Sequence, residues 1–140
     1  MDYYKLAEEE LQVVKTLFDA GQYRHAIYHS CMCMEYLLKT KLVQIDPTSE
    51  FLDGHDIINI FKVVNAKYES SKDLRSIVGF CRKYFNESRY PASGTEAYTK
   101  EFADEFMQYV KAIKTYVDNE CVSTKEDLLN RFKKAESIQS

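Results

Sequence analysis

The stretch that most constrains the fold runs from Tyr23 to about Val43, because it is long and contains neither glycine nor proline. If it is helical, its apolar residues fall on nearly every side, at Ala26, Ile27, Cys31, Cys33, Met34, Leu37, Leu38 and Leu42. A helix that is apolar all round is normally enclosed by other helices. The stretch therefore predicts a central helix around which the rest of the chain packs.

Four other segments have apolar stripes with the period of an α-helix. They cover residues 4–18, 57–64, 74–85 and roughly 96–119, and no segment shows a convincing strand alternation. Four glycines and two prolines leave room for few turns. The pattern predicts an all-α protein, an up-and-down four-helix bundle with an additional short helix.

A length of 140 residues suits a single domain with one core. We expect the bundle to occupy residues 1–120. Ser123 and Glu126 have the spacing of a capping box, and apolar residues follow them at helical spacing. Residues 121–140 are therefore predicted to add a short amphipathic C-terminal helix and a tail to the same domain.

The charge and the hydropathy pattern limit the possible partners and location. A net charge of -3 provides no overall attraction for a polyanion, so nucleic-acid binding would have to come from a local site. No apolar run approaches the roughly 18 residues of a membrane span, and the N-terminal residues lack a signal-peptide core. We expect a cytoplasmic protein without a membrane partner, with its four cysteines reduced.

Two histidines on the central segment raise the possibility of a metal site. His25 and His29 stand four residues apart, which places both on one helical face, and Cys33 continues the row. The row drifts by about 40° every four residues, and no Glu-x-x-His pair accompanies it. A metal-binding bundle is therefore an alternative to ordinary polar packing, which we favour, and no cofactor is predicted.

The same segment carries Glu35 and Lys39 at the spacing of a helical ion pair. On a central helix these charges need partners or a ligand cleft. His55 begins the next helical segment, where helix capping is the simpler explanation. The sequence has no G-x-S-x-G, phosphate-binding loop or H-E-x-x-H motif, so it offers no recognised hydrolytic signature.

The fourth helical pattern stops at the sequence Arg89-Tyr90-Pro91. Arginine binds phosphate through paired N–H groups, and tyrosine provides a surface on which bases stack. Proline alone explains the end of the helix, and Arg89 could equally cap it. The motif is compatible with either a phosphate site or a structural helix end.

Three of these features occur in an order that resembles the HEPN family (higher eukaryotes and prokaryotes nucleotide-binding domain). They are the central segment with Ala26, Glu35, Leu38 and Lys39, the His55-Asp56-Ile57 sequence, and the Arg89-Tyr90-Pro91 sequence. The resemblance spans roughly residues 3–119. It implies a helical bundle that usually forms a homodimer, with a small nucleotidyltransferase-like protein as a possible partner.

Many HEPN proteins are ribonucleases, often toxins, that use an arginine followed four to six residues later by a histidine. This chain has no histidine after His55. Glu96 or Tyr98 would have to replace the missing group, and an exposed glutamate is a poor general acid at neutral pH. The arginine can still bind phosphate without it.

The resemblance therefore favours a non-catalytic module that binds a nucleotide, RNA or a protein partner, and it suggests a role in a toxin-antitoxin or defence system. Its predicted ligand contacts are Arg89, Tyr90, Glu35, Lys39 and His55. A divergent metal-independent ribonuclease is the main alternative, and the metal-binding bundle of His25, His29 and Cys33 is the second.

Overall fold

The computed structural model describes residues 1–90 and 98–122, and this part of the chain is helical without β-strands. Its five α-helices are α1 (Tyr3–Asp19), α2 (Tyr23–Ile45), α3 (Ile57–Lys67), α4 (Arg75–Glu87) and α5 (Lys100–Thr115). A 3-10 turn, Glu50–Leu52, joins α2 to α3, and a π-helical stretch, Tyr116–Glu120, extends α5. The predicted all-α bundle is confirmed.

Helix α2 is the centre of the bundle, because α1, α3, α4 and α5 all pack against it. Its apolar side chains are buried along its whole length, among them Ile27, Met34 and Leu38. This confirms the central helix that the sequence predicts. Burial of each large aliphatic side chain contributes roughly 1.5–3 kcal/mol.

The turn between α1 and α2 depends on a glycine. Gly21 has a φ of 74°, a conformation that side-chain-bearing residues resist, and its N–H donates to the carbonyl of Phe18 at 3.0 Å. A glycine that directly follows an apolar helical stripe predicts a helix end at Ala20-Gly21, and α1 does end there. Because the turn is short, α1 folds back along α2.

Two helix starts differ from the prediction. The sequence suggested Ser70 or Ser71 as the cap of α4, but the helix begins at Arg75, whose N–H donates to Asp73 at 3.0 Å. Helix α5 begins at Lys100 because the Thr99 hydroxyl caps it, accepting from Phe102 N–H at 3.1 Å. At α5 the acceptor is the N-cap residue itself, whereas at α4 the N-cap Leu74 makes no side-chain hydrogen bond and the acceptor, Asp73, precedes it.

Some predictions fall outside the described residues, namely the loop after Tyr90, Glu96 and the short C-terminal helix after Val122. Within residues 1–90 and 98–122, no helix has both the length and the apolar character needed to cross a bilayer.

Candidate functional site

The start of α2 meets the end of α4 through an arginine. Nη1 of Arg24 donates to the carbonyl oxygen of Ser88 at 2.7 Å. Carbonyls at the C-terminal end of a helix have no partner within the helix, so a cationic donor is favourable there. This bond holds the last turn of α4, and Arg89 after it, beside the first turns of α2.

A groove of about 400 Å³ lies at this junction, and we call it the Arg89 groove. It is lined by Arg24, His25, Tyr28, His29, Ser88, Arg89 and Tyr90. Two arginines, two imidazoles and two phenol rings thus share one opening. Such a combination of cations and aromatic rings suits a ligand that carries both phosphate and a base.

Aromatic rings surround the guanidinium of Arg89. Its central carbon lies 5.7 Å from the ring centre of Tyr28, 5.6 Å from that of Phe85 and 5.3 Å from that of Tyr90. No ion pair found among the described residues involves Arg89. Cation–π contact with these rings uses none of the N–H groups as conventional hydrogen-bond donors, so a phosphate oxygen can accept from them.

His25 contributes an imidazole that stays neutral more readily than usual. Its Nε2 lies 3.2 Å from Nη2 of Arg24, and because a guanidinium only donates, Nε2 must accept. Burial lowers the pKa of His25, and the nearby charges of Arg24 and His29 lower it further. A bound anion would offset the neighbouring positive charges.

Glu35 and Lys39 form an ion pair that is almost wholly enclosed. Glu35 is 2% exposed and Lys39 is 4% exposed, and Nζ of Lys39 lies 3.2 Å from Oε2 of Glu35. Lys39 also donates to the carbonyl of Gly54 at 2.8 Å and lies 5.9 Å from the ring centre of Tyr3. The two charges therefore bind each other and the protein, and neither lines the Arg89 groove.

His55 lies at the edge of this buried pair. Its Nδ1 is 3.0 Å from Oε2 of Glu35, and 54% of its side chain is exposed. Its ring packs 4.8 Å from the ring of Phe85. His55 does not cap α3, because the side chain of Asp56 accepts from the N–H of Asn59 at 3.3 Å.

The five predicted ligand contacts thus fall into two groups, one on each side of the ring of Phe85. Arg89 and Tyr90 line the groove, with Tyr90 73% exposed. Glu35 and Lys39 are buried and hold His55. Phe85 connects the groups, since both Arg89 and His55 pack against its ring.

The structure does not bring the alternative metal ligands together. Nδ1 of His29 lies 2.6 Å from Oε2 of Glu10, and the Cys33 thiol donates to the carbonyl of Ala7 at 3.3 Å. Burial raises the pKa of Cys33 to about 12, which disfavours the thiolate that a metal requires. Across residues 1–90 and 98–122, no three His, Cys, Asp or Glu side chains form a group that could hold a metal ion.

The predicted ligand contacts did not include several residues of this site, among them Arg24, Tyr28 and Phe85, and they considered His25 and His29 only as metal ligands. Arg24 had a detectable signal, as a charge on the first turn of an otherwise apolar central helix. Tyr28 and Phe85 had none, because apolar stripes contain aromatic residues whether or not they line a groove.

Comparison with known families agrees with this architecture. The family model described as HEPN domain matches residues 1–121. The chain belongs to the HEPN family. This confirms the resemblance found in the sequence, and the match covers the whole bundle and both groups of site residues.

Known proteins similar to this HEPN chain include one in Methanocaldococcus jannaschii named "Putative toxin MJ1304". The two are 27% identical over an alignment of 117 residues, and the match covers 76% of this chain and 77% of that protein. The crystal structure of TT1696 from Thermus thermophilus superposes with a TM-score of 0.74 at 20% identity. It covers 85% of this chain and 95% of TT1696, which shows a shared fold.

Proposed function

We propose that this HEPN protein binds single-stranded RNA through a backbone phosphate held by Arg89. The observation that carries the proposal is the guanidinium of Arg89, which is ringed by Tyr28, Phe85 and Tyr90 but has no carboxylate partner among the described residues. Aromatic packing orients the cation without consuming its N–H donors. The chain would then bind phosphate with little reorganisation.

The groove also supports RNA over a simple anion. Tyr90 is exposed beside Arg89, so a base can stack on its ring while the adjoining phosphate reaches the guanidinium. The overall charge of -3 means that the attraction would be local. Glu35 and Lys39 support the site through His55 and do not contact the ligand.

The similarity to a protein named as a toxin supports a role in a toxin-antitoxin or defence system. The HEPN family also implies two protein partners, a second copy of the chain and a nucleotidyltransferase-like protein. We include both in the proposal. RNA bound at the Arg89 groove would be the target or the signal of such a system.

Fluorescence anisotropy with a labelled RNA of about ten nucleotides tests the proposal. Arg89→Ala should weaken binding roughly tenfold or more, since hydrogen bonds to charged groups contribute about 1.5–3 kcal/mol. Arg75→Ala is the matched control, because Arg75 begins α4 about 20 Å from its end and pairs with Asp73 at 2.8 Å. Equal affinity in the parent and both variants would refute the proposal.

A second candidate function is a metal-independent ribonuclease. The observation that favours it is the contact of His55 Nδ1 with Glu35, which directs the other ring nitrogen away from the carboxylate on a half-exposed side chain. In such a reaction the 2′-hydroxyl of RNA attacks the neighbouring phosphorus and the bond to the 5′-oxygen breaks. His55 would accept or supply the proton, and Arg89 would stabilise the charged phosphate.

Incubation of purified protein with RNA in excess EDTA separates the two candidates. A ribonuclease would produce 2′,3′-cyclic phosphate ends, and His55→Asn would abolish them while leaving RNA affinity nearly unchanged. Binding without any cleavage by the parent would reject the ribonuclease and leave the binding proposal intact.

A further inference from the structure

Glu10 and His29 form a polar contact at the wall of the Arg89 groove. Nδ1 of His29 lies 2.6 Å from Oε2 of Glu10, and this contact joins α1 to α2. The side chain of His29 is 29% exposed, and the residue lines the groove. The contact therefore fixes an imidazole, through a carboxylate, at the opening that also contains the guanidinium of Arg89.

The carboxylate determines which nitrogen of His29 can accept a hydrogen bond. An ionised carboxylate only accepts, so Nδ1 must carry the proton that joins the two groups. In the uncharged ring, Nε2 then has a lone pair and no proton. No hydrogen bond found among residues 1–90 and 98–122 involves Nε2 of His29. This nitrogen is therefore an acceptor that a donor on the ligand can use.

His29 lies one aromatic ring away from Arg89. The ring centre of Tyr28 is 5.1 Å from that of His29 and 5.7 Å from the guanidinium carbon of Arg89. In a nucleotide, the ribose connects the base to the phosphate. A nucleotide whose phosphate binds Arg89 and whose base stacks on Tyr90 can therefore present its ribose to the wall that carries His29.

We propose that His29 accepts a hydrogen bond from the 2′-hydroxyl of the bound ribose, and that Glu10 positions it for this contact. The 2′-hydroxyl is the sugar donor that RNA has and DNA lacks. The inference rests on the proposed function of the Arg89 groove and specifies its ligand further. His29 would select RNA over DNA, which Arg89 and Tyr90 cannot do, because both kinds of strand carry phosphates and bases.

Three labelled strands of one base sequence test the inference by fluorescence anisotropy: RNA, 2′-fluoro RNA and DNA with uracil bases. 2′-Fluoro RNA keeps the sugar conformation of RNA but has no hydroxyl proton to donate. The parent protein should bind RNA roughly threefold to tenfold more tightly than 2′-fluoro RNA, the effect of one hydrogen bond. It should show at least the same preference over DNA.

Substitutions of His29 assign the preference to its ring. His29→Leu removes the acceptor and should abolish the preference for RNA, with the affinity for 2′-fluoro RNA unchanged. His29→Gln should retain part of the preference, because its amide oxygen can accept in place of Nε2. His55→Asn is the matched control and should keep the full preference, since His55 does not line the groove. Melting temperatures verify that each variant is folded.

Glu10→Ala tests the positioning role of the carboxylate. Without Glu10 the ring of His29 can turn and either nitrogen can carry the proton, so the preference for RNA should fall several-fold. Glu9→Ala, which changes an exposed neighbour on α1, is the control and should keep the preference. A full preference in Glu10→Ala would contradict the role of Glu10.

The outcomes distinguish the ribose contact from the phosphate contact. Equal affinity of the parent for RNA and 2′-fluoro RNA would overturn the inference. Equal weakening of both strands by His29→Leu would also overturn it, since His29 would then contact phosphate or base. In both cases a loss of affinity in Arg89→Ala would leave the proposed function intact. If the parent binds none of the three strands, the proposed function fails together with the inference.

Discussion

Glu35 and His55 are 20 residues apart in the chain, yet Nδ1 of His55 lies 3.0 Å from Oε2 of Glu35. The carboxylate also lies 3.2 Å from Nζ of Lys39. A buried carboxylate thus joins a buried cation to a half-exposed imidazole. Because the ring of His55 packs against Phe85, this contact connects the centre of the bundle to the aromatic ring that also supports Arg89.

Removal of Glu35 should destabilise the protein. Glu35→Ala leaves the ammonium of Lys39 buried without its counter-ion, and breaking a buried pair in this way costs about 3 kcal/mol or more. Denaturant unfolding measures the change. Glu9→Ala, on the exposed face of α1, is the control and should change stability by less than about 0.5 kcal/mol. A Glu35→Ala value as small as the control would contradict the structural role of the pair.

Tyr90 should contribute to binding through the base and not through the phosphate. Tyr90→Ala removes an exposed ring, so we expect a loss of about 1–3 kcal/mol in RNA affinity and little loss of stability. A strand with abasic sites provides the comparison. An equal loss for the abasic strand would show that Tyr90 acts by positioning Arg89.

The sequence predicted the bundle well because the buried apolar residues of each helix recur at regular spacing along the chain. The all-round apolar character of α2 identified the central helix, and the φ requirement met by Gly21 identified the end of α1. The site was predicted only in part. Arg89 and Tyr90 were found through their residue types. The burial of Glu35 and Lys39, in contrast, depends on how α2 packs against α3, and the sequence pattern of a single helix does not contain that information.

Arg24 and Tyr98 line one pocket of about 240 Å³, and their proximity was unpredictable for the same reason. Their contact with one pocket joins the first turn of α2 to the residue before the cap of α5. No periodic pattern connects segments so far apart in the chain. Only the packed structure brings them together.

RNA binding should become tighter as the pH falls. The pKa of His25 is lowered in the free protein by burial and by the positive charges of Arg24 and His29. A nearby phosphate favours the protonated ring, so binding raises this pKa and takes up a proton. Each half-unit increase in the pKa of His25 on binding corresponds to about a threefold gain in RNA affinity, once the pH is below the pKa of His25 in the free protein.

Affinity measured from about pH 7.5 to about pH 5.5 checks this expectation. His25→Gln, which keeps a polar side chain that cannot titrate, should show a flatter profile than the parent. Identical profiles would place His25 outside the range of the bound phosphate.

Alkaline pH should destabilise the fold through its buried thiols. The pKa of Cys33 is raised by burial from 9.0 to about 12, so the folded protein holds the thiol proton more tightly than the unfolded chain. The resulting contribution to the free energy of unfolding is fully present below pH 9.0 and is lost as the pH rises toward 12. The loss is up to about 1.4 kcal/mol per pH unit.

Guanidinium unfolding at about pH 8 and about pH 10.5 measures this effect. Cys33→Ala should be less stable than the parent at the lower pH, because a buried group is lost, but its stability should fall less steeply between the two. Parallel declines would show that Cys33 ionises equally in both states.

The salt dependence of RNA binding tests the central claim most directly. Each phosphate contact on a single strand contributes about 0.7 to the slope of log affinity against log salt concentration. If Arg89 holds a phosphate, Arg89→Ala should reduce the magnitude of that slope by about 0.7, whereas Arg75→Ala should leave it unchanged. A slope that is the same in the parent and in Arg89→Ala, whatever the change in affinity, would contradict a phosphate contact at Arg89.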